Sequence, residues 1–160
     1  MTVTTIEIDA FLADSVVVAE GKIYAQGAGW NVINTVSVPA RHDRVGIGLV
    51  VRVPYTATNQ EHNFELRLED ADGKRLTFGD NPEGEGRVEG LGGQFNVGRP
   101  PNLGPGDEQV VPFAVNINGL VLERAGNYRF VISVDDQDIK ELSFRVMLIQ
   151  QPRPIIKTAE

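Results

Sequence analysis

The chain lacks cysteine, and it is poor in the other side chains that most often carry out chemistry. Its 160 residues include two histidines, one tryptophan and no cysteine. Without cysteine there is no disulfide, thiolate metal site, cysteine nucleophile or iron–sulfur cluster. The sequence also lacks an apolar run of membrane-spanning length, and its first residues lack the basic and apolar regions of a secretory signal. We therefore expect a cytoplasmic protein without a membrane span.

Positive charge is also scarce. Lysine and arginine number 15 against 22 acids, which gives a formal net charge of -7. Affinity for phosphates depends on clustered lysine and arginine, so we predict no binding to nucleic acid. Hydrophobic residues make up 41% and charged residues 23% of the chain, which is the composition of one ordinary globular domain.

Few residues offer a catalytic or cofactor-binding arrangement. His42 in "ARHDR" and His62 in "NQEHNF" stand in polar contexts and are predicted to be solvated loop residues. A zinc site needs three or four converging ligands, which these neighbourhoods do not supply. No serine stands in a nucleophile-elbow sequence. We predict no enzyme activity and no cofactor, with a metal-assisted hydrolase as the third alternative.

Alternation with period two predicts strands along nearly the whole chain. In "VGIGLVVRV" the residues Val45 to Val53 alternate, and hairpins are predicted over 64–78 and 128–148. The predicted fold is all-β, an antiparallel immunoglobulin-like β-sandwich of about eight to ten strands. Its predicted core comprises Ile6, Ile8, Val17, Tyr24, Trp30, Ile47, Leu49, Val51, Phe64, Leu66, Leu68, Phe113, Val115, Tyr128, Phe130, Ile132, Phe144 and Val146.

Two segments interrupt this pattern. Residues 79–109 carry nine glycines, four prolines and six acids, with one short strand predicted near Gln94 to Val97. A loop of this length is typically functional or disordered. The prolines of 150–160 favour an extended tail. We therefore assign a single β-sandwich domain to 1–149 and an extended tail to 150–160.

The segment "LVLERAGNYRFVISVDDQDIKELSFRV", Leu120 to Val146, resembles the closing hairpin of immunoglobulin-like domains. Gly126 and Tyr128 match the Gly-x-Tyr corner of that hairpin, and Phe130 stands where antibody domains carry their second cysteine. The resemblance implies that the Tyr128 hydroxyl bonds back to upstream backbone. The cysteine pair of antibody domains is absent here.

A second resemblance rests on two separate segments of the chain. The segments "DAFLADSVVVAEGKIYAQGAGWNVI", Asp9 to Ile33, and "HNFELRLEDADGK", His62 to Lys74, resemble a family of short bacterial proteins of unknown function. This resemblance implies a fold, but no activity, cofactor or catalytic residue.

Acidic turns suggest one alternative function. Hard cations such as calcium prefer several oxygen ligands from carboxylate-rich loops. Aspartate and glycine are also the residues that tight turns require for backbone reasons. The turns leave open a calcium-dependent ligand- or surface-binding domain, with candidate ligands Asp70, Asp72, Asp135, Asp136 and Asp138.

Glycines in predicted strands suggest a surface for another chain. In "AQGAGWNV", read as one strand, Gly27 and Gly29 share the face opposite Trp30, and Gly46 and Gly48 repeat the pattern. Glycine in a strand indicates a bulge or the close approach of another backbone. We predict a non-catalytic protein-binding or assembly module whose partner is another protein or a second copy. Its candidate contact residues are Gly27, Gly29, Gly46, Gly48, Arg99 of the long loop, and Ile155 and Ile156 of the tail, which suit strand addition.

Overall fold

The computed structural model describes residues 5–78 and 89–151. Within them, eleven strands and one short 3₁₀ turn follow in order. The elements are β1 (Glu7–Ala13), β2 (Ser15–Ala19), β3 (Lys22–Gln26), β4 (Val32–Thr35), β5 (Ala40–Pro54), the 3₁₀ turn (Tyr55–Ala57), β6 (Glu61–Asp70), β7 (Arg75–Leu76), β8 (Leu91–Asn96), β9 (Glu108–Leu122), β10 (Gly126–Val134) and β11 (Gln137–Leu148).

The strands form two principal sheets and one separate hairpin. The first sheet has the order β1-β5-β9, and the second has the order β4-β11-β10-β6-β7, with β8 also paired to β6. Strands β2 and β3 pair only with each other. The predicted all-β class is confirmed, with one strand more than expected. No helix in the described ranges has the length and apolar character needed to cross a membrane.

The two principal sheets enclose one hydrophobic core. The alternation in β5 directs Val45, Ile47, Leu49, Val51 and Val53 to one face, where each is at most 1% exposed. Period-two alternation places every second side chain on the same face of a strand. This face packs in one cluster with the inward side chains of the second sheet, among them Leu66, Leu68, Phe130 and Ile132.

Both hairpins predicted near the core are confirmed. Strand β6 pairs antiparallel with β7, and β10 pairs antiparallel with β11. The two residues that join β10 to β11, Asp135 and Asp136, have φ values of 50° and 63°. This left-handed conformation at both positions is the requirement of a two-residue type I′ turn. Among the described strands, the one departure from the antiparallel prediction is β4, which pairs parallel with β11.

The tyrosine corner implied by the sequence is present. The Tyr128 hydroxyl donates to the carbonyl oxygen of Arg124 at 2.6 Å, and its ring stacks on Phe144 at a centroid distance of 5.5 Å. Tyr128 is 7% exposed. The corner and the order β11-β10-β6 support the immunoglobulin-like assignment, which stays a prediction.

Two predictions about the N-terminal part of the chain are wrong. The segment "AQGAGWNV" is not one strand, because β3 ends at Gln26 and β4 begins at Val32. Val17 and Tyr24 are not core residues, because they are 54% and 55% exposed. The physical reason is that β2 and β3 form a hairpin outside the sandwich instead of joining a principal sheet. Trp30 is partly buried against the core.

Candidate functional site

The separate β2–β3 hairpin is held together by a tight turn. Glu20 and Gly21, which join its strands, have φ values of 52° and 70°. Such a turn matches the right-handed twist of the flanking strands. The register therefore places Val17 opposite Tyr24 and Val18 opposite Ile23.

One side of this hairpin is anchored on the outer face of the β1-β5-β9 sheet. The backbone N–H of Val16 donates to Oδ1 of Asn116 at 3.0 Å, and Nδ2 of Asn116 donates to the Val16 carbonyl oxygen at 2.8 Å. A side-chain amide thus satisfies both backbone groups of one residue, as a neighbouring strand would. Val16 itself is 1% exposed.

The other side of the hairpin is apolar and open to solvent. Val17 and Tyr24 form a cross-strand pair, and each is more than half exposed. Two large apolar side chains paired directly across a hairpin form a contiguous apolar surface, and such a surface typically marks an interaction site. This surface, made of Val17 and Tyr24, is called the hairpin face below.

The glycines predicted to form an open facet are covered by the chain itself. A Cβ atom at Gly46 would lie 2.9 Å from a methyl group of Val16, and a Cβ at Gly48 would collide with the ring of Phe11. The prediction that another chain packs on Gly46 and Gly48 is therefore wrong, because side chains of the same chain fill the space beside them. These glycines make room for β1 and for the anchored side of the hairpin.

The connection after β3 uses its glycines for conformation. Gly27 and Gly29 have φ values of 62° and 90°, which only glycine adopts at little cost. A Cβ at Gly27 would also collide with the carboxylate of Asp14. Gly29 has no neighbour within 4 Å of such an atom, so its surroundings are open.

The remaining predicted contact residues are not gathered with these glycines. Arg99 is engaged within the chain: its Nε donates to Thr58 Oγ1 at 2.7 Å, and its guanidinium lies 4.0 Å from the centre of the Tyr55 ring. Ile155 and Ile156 lie outside the described residues. The β8 strand, Leu91–Asn96, lies within the predicted 79–109 loop and pairs with β6.

The five candidate calcium ligands are divided between two turns. Asp70 pairs with Tyr128 and Phe64 pairs with Val134 along the same β6–β10 ladder. At about 3.3 Å per residue, the two turns lie roughly 20 Å apart at opposite ends of β6. The structure therefore does not bring the candidates Asp70 and Asp72 together with Asp135, Asp136 and Asp138. Across residues 5–78 and 89–151, no three histidine, aspartate or glutamate side chains form a metal-binding group.

Candidate carboxylates in both turns are instead bound by groups of the fold. Asp70 Oδ1 accepts the backbone N–H groups of Asp72 and Lys74, both at 2.9 Å. Asp138 accepts two hydrogen bonds from the Arg67 guanidinium at 2.8 and 2.7 Å. These contacts hold the pKa of Asp138 at about 2, chiefly through the hydrogen bond from Arg67.

His62 is a buried strand residue, so its prediction as a solvated loop histidine is wrong. It lies in β6 and is 5% exposed. Its Nε2 donates to the Ala57 carbonyl oxygen at 2.8 Å, and its Nδ1 lies 2.7 Å from Oδ2 of Asp135. Burial lowers the pKa of His62, but the bonds to Ala57 and Asp135 outweigh it and raise the pKa above 6.5. His42 also lies in a strand, β5, with its ring 6.0 Å from that of Trp30.

A cleft of about 870 Å³ lies at the end of the sandwich beside Tyr128. Both basic and acidic side chains line it, so its charge does not select a ligand of either sign. The charged residues that line it include Arg41, Lys74, Arg124, Asp72 and Glu123.

The sequence did not reveal the hairpin face. Alternation in "SVVVA" and "KIYAQ" is the same for a core strand and for an exposed hairpin. The length of the strands is the signal that distinguishes a core strand from an exposed hairpin. Two five-residue strands joined by a two-residue turn form a hairpin in which β2 and β3 pair with each other.

Comparisons with known proteins place the chain in a family. A search of curated proteins finds no match. Among solved structures, three similar ones are an alkylpurine DNA glycosylase AlkC of Pseudomonas fluorescens bound to DNA containing an abasic site analog, a β-glucosidase of Listeria innocua in complex with glucose, and the β-glucosidase EmGH1 of Erythrobacter marinus.

These structural likenesses are distant. Sequence identities are 12%, 9% and 14%, and TM-scores are 0.42, 0.42 and 0.43. The alignments cover 88%, 90% and 90% of this chain. The chain spans only 30% of the glycosylase and 16% of each β-glucosidase.

The family comparison covers most of the chain. A model of a family of unknown function, DUF6941, matches residues 8–147. This agrees with the resemblance to short proteins of unknown function seen in the two N-terminal segments. The chain belongs to the family of unknown function DUF6941.

Proposed function

We propose that this protein is a non-catalytic module that binds another protein through the hairpin face. The observation that carries the proposal is the exposure of Val17 and Tyr24 on a hairpin whose opposite side is anchored. An isolated two-stranded hairpin is marginally stable in water, so an anchored apolar hairpin is suited to present these side chains to a partner.

The energetics of the hairpin face favour a protein partner. Burial of apolar surface contributes about 25 cal/mol per Å². A tyrosine anchor adds large contact area at a low cost in side-chain entropy, and tyrosine is enriched among the residues that dominate interface energies. Asn116 fixes the hairpin through both backbone groups of Val16. The loss of conformational entropy when the hairpin binds a partner is therefore small.

The polar side chains of the fold support the non-catalytic part of the proposal. Both ring nitrogens of His62 are occupied by Ala57 and Asp135. Asp138 is held by Arg67 and by the Ser133 hydroxyl, which donates at 2.7 Å. A general base must reach a substrate proton, and these groups already serve neighbouring strands.

Site-specific photo-crosslinking in the host cell tests the proposal. A benzophenone amino acid at position 24 is expected to form a cross-linked product with a discrete partner. The same probe at Val121, an exposed residue of β9 at 44%, is the matched control. Equal products from both positions, or none from position 24, would contradict the proposal.

A charge on the hairpin face provides the second arm of the test. Val17→Asp keeps the turn and the Asn116 anchor but places a carboxylate in the contact. We expect the partner's Kd to rise about 30-fold, since truncating or charging an interface anchor costs about 2 kcal/mol. Val121→Asp should leave the Kd unchanged.

A further inference from the structure

Strand β9 is the edge of its sheet, and its free backbone groups can be identified. It pairs with β5 in a constant register that runs from Pro54 opposite Glu108 to Ala40 opposite Leu122. The hydrogen bond from the Tyr55 N–H to the Asp107 carbonyl oxygen, 2.9 Å, extends this ladder by one pair. Because bonded and non-bonded pairs alternate in an antiparallel ladder, the even-numbered residues of β9 direct their N–H and C=O groups away from β5.

Proline at position 112 agrees with this assignment. Pro112 has no N–H, and proline in a sheet is confined to positions whose nitrogen faces away from the ladder. The outward positions are therefore Glu108, Val110, Pro112, Ala114, Asn116 and Asn118. The Asn116 contact with β2 uses its side chain, so none of these backbone groups has a strand partner in the described part of the chain.

The core is open along the first half of this strand. Val111, Phe113 and Val115 face inward but are only partly buried, although they pack on the core. Farther along the same strand, Leu120 and Leu122 are at most 1% exposed. The contrast within one strand indicates that, among the described residues, the first half lacks a cover that the second half has.

The edge carries little of the usual protection against pairing. Natural edge strands are typically short, charged, bulged or interrupted by proline. β9 is 15 residues long and carries a single charged residue, Glu108. Pro112 removes one donor, and every other outward position keeps both backbone groups.

We propose that β9 pairs antiparallel with β9 of a second copy of this chain, centred on Phe113. The two β1-β5-β9 sheets then form one continuous six-stranded sheet, and the interface is symmetric because the same residues contribute from both copies. This surface is separate from the hairpin face, and the proposal does not depend on the hairpin's function.

The proposed register is self-complementary. It places Val111 opposite Val115 of the second copy, which extends the apolar cover on both sides of the two-fold axis. It also places Glu108 opposite Asn118 of the second copy, whose Oδ1 accepts a bond from Arg44 at 3.2 Å. Each glutamate therefore approaches an arginine, and no like charges face each other.

The register also fits the missing donor. Pro112 lies opposite Ala114 of the second copy, so the Ala114 N–H donates to the Pro112 carbonyl oxygen while the reverse bond is absent. Two such bonds, related by symmetry, stand next to the axis. Removing the Ala114 N–H therefore removes both central bonds without touching the β5–β9 ladder.

Light scattering and sedimentation of two variants test the pairing. Ala114→Pro removes these donors, and Ala114→Ser is the control that retains them. We expect a concentration-dependent dimer for the unmodified chain and for Ala114→Ser, with a dimer Kd about 30-fold weaker for Ala114→Pro. A chain that stays monomeric to roughly 100 μM, or a dimer equally strong in both variants, would overturn the proposal.

Hydrogen exchange of the unmodified chain tests the same contact without relying on the folding of a variant. Raising the protein concentration is expected to slow exchange at the outward amides of Val110, Ala114 and Asn116, and to leave the β2–β3 amides unchanged. Protection at β2–β3 alone would show association through the hairpin face and would reject the β9 pairing.

Discussion

His62 is a buried residue with an acceptor at each ring nitrogen. A carbonyl oxygen can only accept, so Nε2 carries a proton toward Ala57, and the carboxylate of Asp135 favours a second proton on Nδ1. In its protonated form the ring therefore joins the 3₁₀ turn to the β10–β11 turn. The burial of His62 was not predictable from its sequence context, "NQEHNF", because the neighbouring residues are mostly polar. The ring that packs on His62 belongs to Phe95 of β8, and the two ring centroids lie 5.4 Å apart.

We expect this contact to stabilise the fold at acidic to neutral pH. The pKa of His62 in the folded chain is raised above its ordinary value of 6.5. The stabilisation is therefore fully present below pH 6.5 and is lost as the pH rises through the folded pKa. Urea unfolding from pH 5 to 9 should show a declining free energy of unfolding for the unmodified chain and a flatter profile for His62→Gln.

The other histidine provides the control for this measurement. His42→Gln is expected to keep the decline, since the ring of His42 contacts Trp30 and not the β10–β11 turn. An unchanged slope in His62→Gln would contradict the assignment of a charged, bonded His62.

At the scale of elements, the side chain of Asn116 attaches the β2–β3 hairpin to β9. Asn116 makes two hydrogen bonds to the backbone of Val16, which lies 100 residues earlier in the sequence. The sequence does not identify this anchor, because an asparagine on a strand carries no signal for a distant backbone partner.

Asn116→Ala should release the hairpin without unfolding the sandwich. Each lost hydrogen bond is worth about 1 kcal/mol, so local opening of β2 and β3 should become about 30-fold more frequent. Hydrogen exchange at Val16 and at the β2–β3 amides reports this opening. Asn118→Ala, which loses only the bond from Arg44, is the matched control and should leave those amides protected. Unchanged exchange in Asn116→Ala would show that packing of Val16 alone holds the hairpin.

The glycines illustrate how far an element can be predicted. Their repeated pattern in β5 correctly indicated a close approach to that strand. What approaches was not predictable, because Phe11 and Val16 reach Gly48 and Gly46 from elsewhere in the chain. The sequence shows where space is needed, and the fold decides which segment fills it.

At the scale of the whole molecule, local order was predictable and long-range pairing was not. The alternating strands and the β10–β11 hairpin follow from side-chain period and turn chemistry. The parallel pairing of β4 with β11 places Ile33 opposite Val146. The four residues of β4 and the turns near them carry no signal that predicts this pairing. The separation of β2–β3 from the sandwich was missed for the same reason.

On the outer face of the second sheet, ion pairs and a hydrogen bond connect the three strands β6, β10 and β11. Arg67 of β6 binds Asp138 of β11, and the Ser133 hydroxyl of β10 donates to the same carboxylate. Arg129 of β10 binds Glu69 of β6 at 3.1 Å, and Glu69 is only 7% exposed. These contacts cover Val131, which is fully buried on β10.

We expect these contacts and His62 together to define a stability maximum on the acidic side of neutrality. The pKa of Asp138 is lowered from 3.8 to about 2, so its stabilisation is present above pH 3.8 and is lost as the pH falls toward 2. With the loss of the His62 contribution above pH 6.5, the free energy of unfolding should be highest between these limits.

Urea unfolding of paired variants across pH 2 to 9 separates the two limbs of this profile. Asp138→Asn should flatten the acid limb and keep the alkaline decline. His62→Gln should remove the alkaline decline and keep the part of the acid limb that Asp138 contributes. Asp136→Asn is the matched control, because it changes a neighbouring carboxylate in the same turn and asparagine tolerates the φ of 63° there. If Asp138→Asn and Asp136→Asn gave the same acid limb, the Arg67–Asp138–Ser133 contacts would not be the source of acid sensitivity, and the general charge of the chain would account for it.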